Sequence, residues 1–183
     1  MLQLIDFIMQ DMRPVLNYVL WSAGVTFLLC GLWFLINRMR KSSLPAAGQT
    51  VSIILLIFYM ILILKISIFS REMGSRIGVS LLPGETWTTD WQGRAYVIEN
   101  ALLYIPLGLL GMQVLHSVKK RGMLVVLFGF GLSVIVEVTQ LFTHMGYFQV
   151  DDLIMNTGGT LIAVLLIVLW DKLKKSWKSL MER

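Results

Sequence analysis

Charge is scarce in this sequence. Of its 183 residues only 15% are Asp, Glu, Lys or Arg, against about a quarter in a typical soluble domain. Beside 56% hydrophobic residues, that shortage excludes an ordinary soluble globule and leaves no stretch for a separate soluble domain. Cysteine is reduced to Cys30, so no disulfide can form within the chain. Histidine is nearly missing, and His116 and His144 flank different apolar runs, so no histidine-pair chemistry is expected. There is no phosphate-binding Gly-Lys loop, zinc-protease histidine pair or Gly-x-Ser-x-Gly elbow. No cofactor is signalled. The start of the chain has no basic region of the kind that opens a cleavable signal, and Asp6 and Asp11 come early. The net charge of +5 suggests nucleic acid at first sight. The positive residues flank apolar runs, however, so membrane lipid and not nucleic acid is the expected partner.

Long apolar runs are what the chain does have. A helix crosses the hydrocarbon core with about 20 mostly apolar residues. Residues 15–36, 51–69, 96–116, 123–142 and 151–170 meet that requirement. Backbone groups cannot stay unpaired in lipid, so these runs are expected to be helices. The fold class that follows is all-α: a polytopic integral membrane protein, one domain over residues 1–183, with a bundle of about five transmembrane helices. The first 14 residues read either as a short interfacial helix, since Ile5, Ile8, Met9 and Met12 share a face, or as a frayed start to the first span ended at Pro14. Residues 70–94 form the longest loop, punctuated by Gly74, Gly78, Pro83 and Gly84, with Trp87 and Trp91 suited to headgroup depth.

Eleven of the sixteen Lys and Arg fall on one side: Arg38, Arg40 and Lys41, then Lys119, Lys120 and Arg121, then Lys172, Lys174, Lys175, Lys178 and Arg183. The positive-inside rule makes that side cytoplasmic. Five spans then place the N-terminus outside and the C-terminus inside.

The informative residues are polar ones inside the last three spans. Span three carries Glu99 and Asn100, span four Glu137 and Gln140, and span five opens with Asp151, Asp152 and Asn156. At 1.5 Å per residue, Asn100, Glu137 and Asn156 each lie roughly 6–9 Å below the outer ends of their spans. Steps of three and four put Asn100, Tyr104, Gly108 and Gly111 on one face, Gly129, Ser133, Glu137 and Gln140 on a second, and Asp152, Asn156, Gly159 and Ala163 on a third. Each face is polar near the outer end and small below it. Small residues let helices pack closely in lipid. The expected picture is three tight helices that diverge outward around an open polar pocket in the outer leaflet. Intramembrane carboxylates usually face a bundle interior or a watery cavity. The plainer reading is that these groups hydrogen-bond to one another and hold the helices together. Lys65 and Arg71 stand near enough to neutralise the carboxylates, although Lys65 suits an interfacial role. Oxygen ligands at Glu137, Asp151, Asp152 and Asn156 would suit a hard cation, but no metal is assigned.

Three pieces in this region resemble the VanZ-like family of membrane proteins. They are Asn100-Ala-Leu-Leu-Tyr-Ile-Pro106-Leu-Gly108, Glu137-Val-Thr-Gln140, and Asp151-Asp152-Leu-Ile-Met-Asn156-Thr-Gly158-Gly159. Phe69-Ser70-Arg71 and Val79-Ser80-Leu81-Leu82-Pro83 resemble its weaker upstream elements. The family-like core is residues 70–170. Many members carry an Arg just before the Gly between the last two spans; here Met145 precedes Gly146, and Arg71 is the alternative cation. The resemblance implies a role in a bacterial cell envelope. The family takes its name from a protein that confers resistance to the lipid-bearing glycopeptide teicoplanin.

The binding residues expected are Arg71, Glu99, Asn100, Glu137, Gln140, Asp151, Asp152 and Asn156. The leading expectation is a binder of a lipoglycopeptide or a lipid-linked cell-wall precursor. An intramembrane enzyme with Glu137 or Asp152 as acid or base comes next. A small transporter ranks last, because the polar residues stop in the outer half. Oligomeric state is not readable.

The orientation is testable. Single cysteines at positions 90 and 120, with Cys30 replaced, are treated with an impermeant thiol reagent on intact cells. Position 90 is expected to label and position 120 to stay protected. The reverse pattern would invert the topology.

Overall fold

In the computed structural model of the chain, the described residues are 2–40, 45–74, 76–116 and 120–182. Lys41, Lys119 and Arg183, three of the cations counted above, lie outside them.

Apolar sequence dictates helix here, and five helical stretches are long and apolar enough to cross a membrane: Gln3–Met39, Ala47–Phe69, Trp91–Val114, Arg121–Thr143 and Val150–Met181. The first is two helices, α1 (Leu2–Met12) and α2 (Val15–Met39), parted at Arg13 and Pro14. Proline has no N–H to give, and a helix start is where that loss is least felt. α1 packs against α5, so Leu2–Met12 form a separate helix. α3 (Ala47–Leu64) runs into a π-helical turn at Lys65–Phe69. Lys65 donates to the Phe69 carbonyl (3.1 Å) and sits over the rings of Trp21 (5.2 Å) and Tyr18 (5.6 Å) on α2. Its charge is therefore spent on an aromatic staple between α2 and the π turn.

The expected long loop contains structure. A strand, β1 (Arg76–Ser80), pairs in parallel with β2 (Met145–Gln149), matching Gly78 to Tyr147 and Ser80 to Gln149. A short helix, α4 (Glu85–Thr89), follows β1. The helical class holds, with this two-stranded ribbon added. Parallel strands need a crossover, and α4, α5 (Trp91–Val114) and α6 (Arg121–Thr143) provide it. β2 leads directly into α7 (Val150–Met181). The ribbon thus lies at the end of the bundle where α6 stops and α7 starts.

α7 continues well past the expected Trp170. Its 32 residues span about 48 Å at 1.5 Å each, more than the roughly 30 Å of hydrocarbon. The basic residues from Lys172 to Lys178 therefore ride on helix beyond the core. Near that end Arg121 donates to Asp171 (2.6 Å) and ties α6 to α7.

α5, α6 and α7 meet through glycines. A Cβ on Gly159 would stand 2.1 Å from the Ala101 carbonyl oxygen, and one on Gly108 2.6 Å from Ala163 Cβ. A Cβ on Gly129 would meet Thr160 Oγ1 at 2.4 Å. Around these contacts Ile63, Tyr104, Leu107 and Leu132 form one buried cluster, and Met112, Val125 and Val164 a second. α2 shows large apolar side chains such as Leu20, Phe27 and Leu28 on the outside, as a lipid-facing helix should.

The glycine contacts predict a graded outcome. Gly159→Ala forces a methyl onto backbone, where nothing can rotate away. Its cost should fall in the overpacking range of about 1–3 kcal/mol, read as a lower apparent melting temperature in nanodiscs. Gly158→Ala, with open space around it, should change nothing. Equal behaviour of the two variants would contradict the packing.

Candidate functional site

The helical spacing read from the sequence delivers its residues to one place. Glu137 and Gln140 are 1% exposed, Asn156 3% and Asp152 8%. Four buried polar side chains on α6 and α7 cannot stand alone in an apolar bundle, and each is met by a partner. The Asp152 carboxyl lies within hydrogen-bonding reach of Glu137 and of Asn100 on α5. Arg71 interacts electrostatically with both carboxyl groups. Asn156 donates from Nδ2 to Ser133 Oγ (2.8 Å). Gln140 donates from Nε2 to the Ser67 carbonyl (2.9 Å) in the π turn. The turn thereby docks on α6 four residues before Arg71.

Gly146 decides how Arg71 gets there. A Cβ at that position would lie 2.6 Å from Arg71 Nη1 and 2.9 Å from Gln140 Oε1. The guanidinium therefore lies against bare backbone of β2. Met145 stands just before this glycine, and the cation that reaches the two carboxyl groups is Arg71, in front of β1.

The pocket expected to open outward is roofed. Glu137 accepts the backbone N–H of Gln149, the last residue of β2 (2.9 Å). Gln149 in turn donates from Nε2 to Thr86 Oγ1 on α4 (3.3 Å). The roof forms because two segments nearly 70 residues apart pair as strands. Free space begins one layer further out, in a cleft of ≈ 450 Å³ between the ribbon, α4 and the start of α5.

Two expected site residues stand apart from the cluster. Asp151 turns outward and accepts the backbone N–H groups of Gly84 (2.6 Å) and Thr86 (2.9 Å). It fastens α4 to α7 at a residue with φ of 85°, Gly84, a left-handed conformation that favours glycine. Glu99 is half-buried and faces Asp11 of α1. Sequence reasoning missed Gln149, Ser67 and Thr86. The first two act through backbone groups that no side-chain pattern announces.

The cluster has acid–base and binding capacity. Two carboxyl groups this close repel each other when both are charged, and Arg71 interacts favourably with both. Gln140 Oε1, Asn156 Oδ1 and the Tyr104 hydroxyl are buried without a hydrogen-bond partner among the described residues. Tyr104 faces Ser133 without normal hydrogen-bond geometry. Among the described residues no group of three or more His, Cys, Asp or Glu side chains gathers as metal ligands.

A family model described as VanZ/LLP1 matches residues 51–171, well over half of the chain. That range takes in most of α3, the ribbon and every residue of the cluster. No curated protein and no solved structure matches.

The seat of Arg71 on Gly146 predicts non-additive substitutions. Gly146→Ala should displace the guanidinium and lower the apparent melting temperature much as Arg71→Met does. For a half-buried arginine the loss should reach the lower part of the about 3–5 kcal/mol that removing one partner of a buried pair costs. In the Arg71→Met background, Gly146→Ala should cost little more. Full additivity would show that the two residues do not share that space.

Proposed function

This chain belongs to the VanZ/LLP1 family, and from that premise we propose that it lowers bacterial susceptibility to teicoplanin-type, acyl-tailed glycopeptides. It does so by binding the drug or a lipid-linked wall precursor at the ribbon end of α5–α7. The observation that carries this reading is the convergence of Arg71, Asn100, Glu137, Gln140, Asp152 and Asn156 at one end of three membrane helices. The Lys and Arg bias assigns that end to the outside. An acyl tail would concentrate the drug in the outer leaflet by about 0.8 kcal/mol per buried methylene. A tail-less glycopeptide gains nothing of the kind. In this reading Glu137, Asp152 and Arg71 form the floor of the site. Gln149 and Asp151 link that floor to the ribbon and α4, which meet the ligand.

A second reading, an intramembrane enzyme acting on lipid-linked envelope substrates, is favoured by one feature. Glu137 and Asp152 stand within hydrogen-bonding reach, as a general acid and its partner would. Transport fits less well. The opposite ends of α5–α7 hold the apolar cluster of Met112, Val125 and Val164, closed by the Arg121–Asp171 pair.

The test compares wild type and Glu137→Gln at matched membrane levels, with inhibitory concentrations for an acyl-tailed and a tail-less glycopeptide. Glutamine keeps an acceptor for the Gln149 N–H and removes the charge. Wild type should protect against the tailed drug several-fold more, and Glu137→Gln should lose that margin. Equal protection against both drugs would remove the outer-leaflet argument. Turnover of lipid-linked precursors by the purified protein, lost in Glu137→Gln, would favour the enzyme.

A further inference from the structure

The cleft above the roof has a chemistry of its own. Tyr147 lies flat over Gly78, its strand partner: a Cβ on Gly78 would fall 2.2 Å from Tyr147 Cδ1. The glycine thus lets an aromatic ring lie along the ribbon beside the cleft, and Tyr96 of α5 adds a second ring to its lining. Between them stand the amides of Gln92 and Gln149 and the carboxylates of Glu85 and Asp90. At ≈ 450 Å³ the space falls within the range of about 300–1,000 Å³ usual for small-molecule sites.

We propose that this cleft binds the uncharged glycosyl headgroup of an amphiphile. Among the described side chains no Lys or Arg lines it, so none of these answers a phosphate or sulfate. The polar groups are also held in place before any ligand arrives. Ser80 donates to Glu85, Gly93 N–H donates to Asp90 (2.7 Å), and Gln92 donates to the Tyr96 hydroxyl (2.7 Å). The lining residues include both donors and acceptors. A sugar hydroxyl, which donates and accepts, satisfies both kinds. An ammonium donates only and would meet the acceptors alone. The tyrosine rings offer flat faces to the C–H side of a pyranose.

A second cavity of ≈ 340 Å³ shares Asp90 and Gln92 with the first and is lined also by Gln3, Asp6 and Phe7 of α1 and by Trp91. α1 exposes Ile5 and Met9 toward lipid. The headgroup thus sits in the polar cleft, and the exposed Ile5 and Met9 of α1 give its chain an apolar surface.

This inference deepens the binding reading by naming a headgroup, and it rests on that reading only for the choice of face. The test is saturation-transfer NMR on the full chain in nanodiscs free of glycolipid. The soluble probes are methyl β-glucoside, maltose, tetramethylammonium and inorganic phosphate, the last detected through phosphorus; empty nanodiscs are the control. The two sugars should receive saturation above the control, and the Gln92→Ala/Tyr147→Ala variant should cut it at least about fivefold. If that variant melts lower than wild type, Gln92→Ala alone carries the same expectation. Absence of transfer to the sugars would overturn the proposal. So would stronger transfer to tetramethylammonium or phosphate, or unchanged transfer in the variants. Sugar binding with no effect on drug susceptibility would sink the resistance reading and leave this one standing.

Discussion

Two carboxyl groups side by side inside a membrane-spanning bundle set the terms for everything at the ribbon end. Glu137 and Asp152 are each less than a tenth exposed, and a charge removed from water must be paired and hydrogen-bonded or it unfolds its surroundings. The chain meets that demand from three directions. Asn100 comes from α5, Arg71 from the segment after the π turn, and the Gln149 N–H from the ribbon. Each of these pieces has its own anchor. The π turn is held by Gln140, and α4 by Asp151. The ribbon, the π turn and α4 thus share a purpose: they satisfy polar groups that the helices alone would leave exposed to lipid.

Close packing makes the arrangement possible. Helices separated by ordinary side chains would hold Asn100, Glu137 and Asp152 too far apart to touch. Gly108, Gly129 and Gly159 bring the three axes together just below the polar layer. The far end of the bundle has the opposite character, with an apolar cluster and one ion pair between Arg121 and Asp171. A bundle so built keeps its buried polar cluster at the ribbon end.

Much of this was legible in the sequence, and the part that was not has a physical reason. The apolar runs gave five spans because the bilayer fixes helix length. Steps of three and four gave the common faces because α-helical geometry fixes which residues are neighbours. All four residues on the α6 face, Gly129, Ser133, Glu137 and Gln140, are buried as that spacing requires. The ribbon was not legible. Arg76–Ser80 and Met145–Gln149 have no marked alternation, and their pairing is decided by what they cover. Nor was the π turn, since Lys65–Phe69 reads as the end of an ordinary apolar run. Asp151 and Asp152 look equivalent in sequence, yet one reaches out to α4 and the other into the bundle. Adjacent helical residues point about 100° apart, so only the position of α4 shows what the first of them does.

The central claim is that Arg71 balances the negative charge of the Glu137–Asp152 carboxyl pair, and that this balance holds the ribbon end together. A double-mutant cycle tests it most directly. Arg71→Met, Glu137→Gln and the double variant are compared with wild type by apparent melting temperature in nanodiscs. Arg71→Met alone should destabilise the protein, because it leaves a buried negative charge unanswered. Adding Glu137→Gln removes that charge and should restore most of the loss, a strong favourable coupling between two contacting sites. Losses that simply add would contradict the account, and would mean that Arg71 and Glu137 contribute to stability independently of each other.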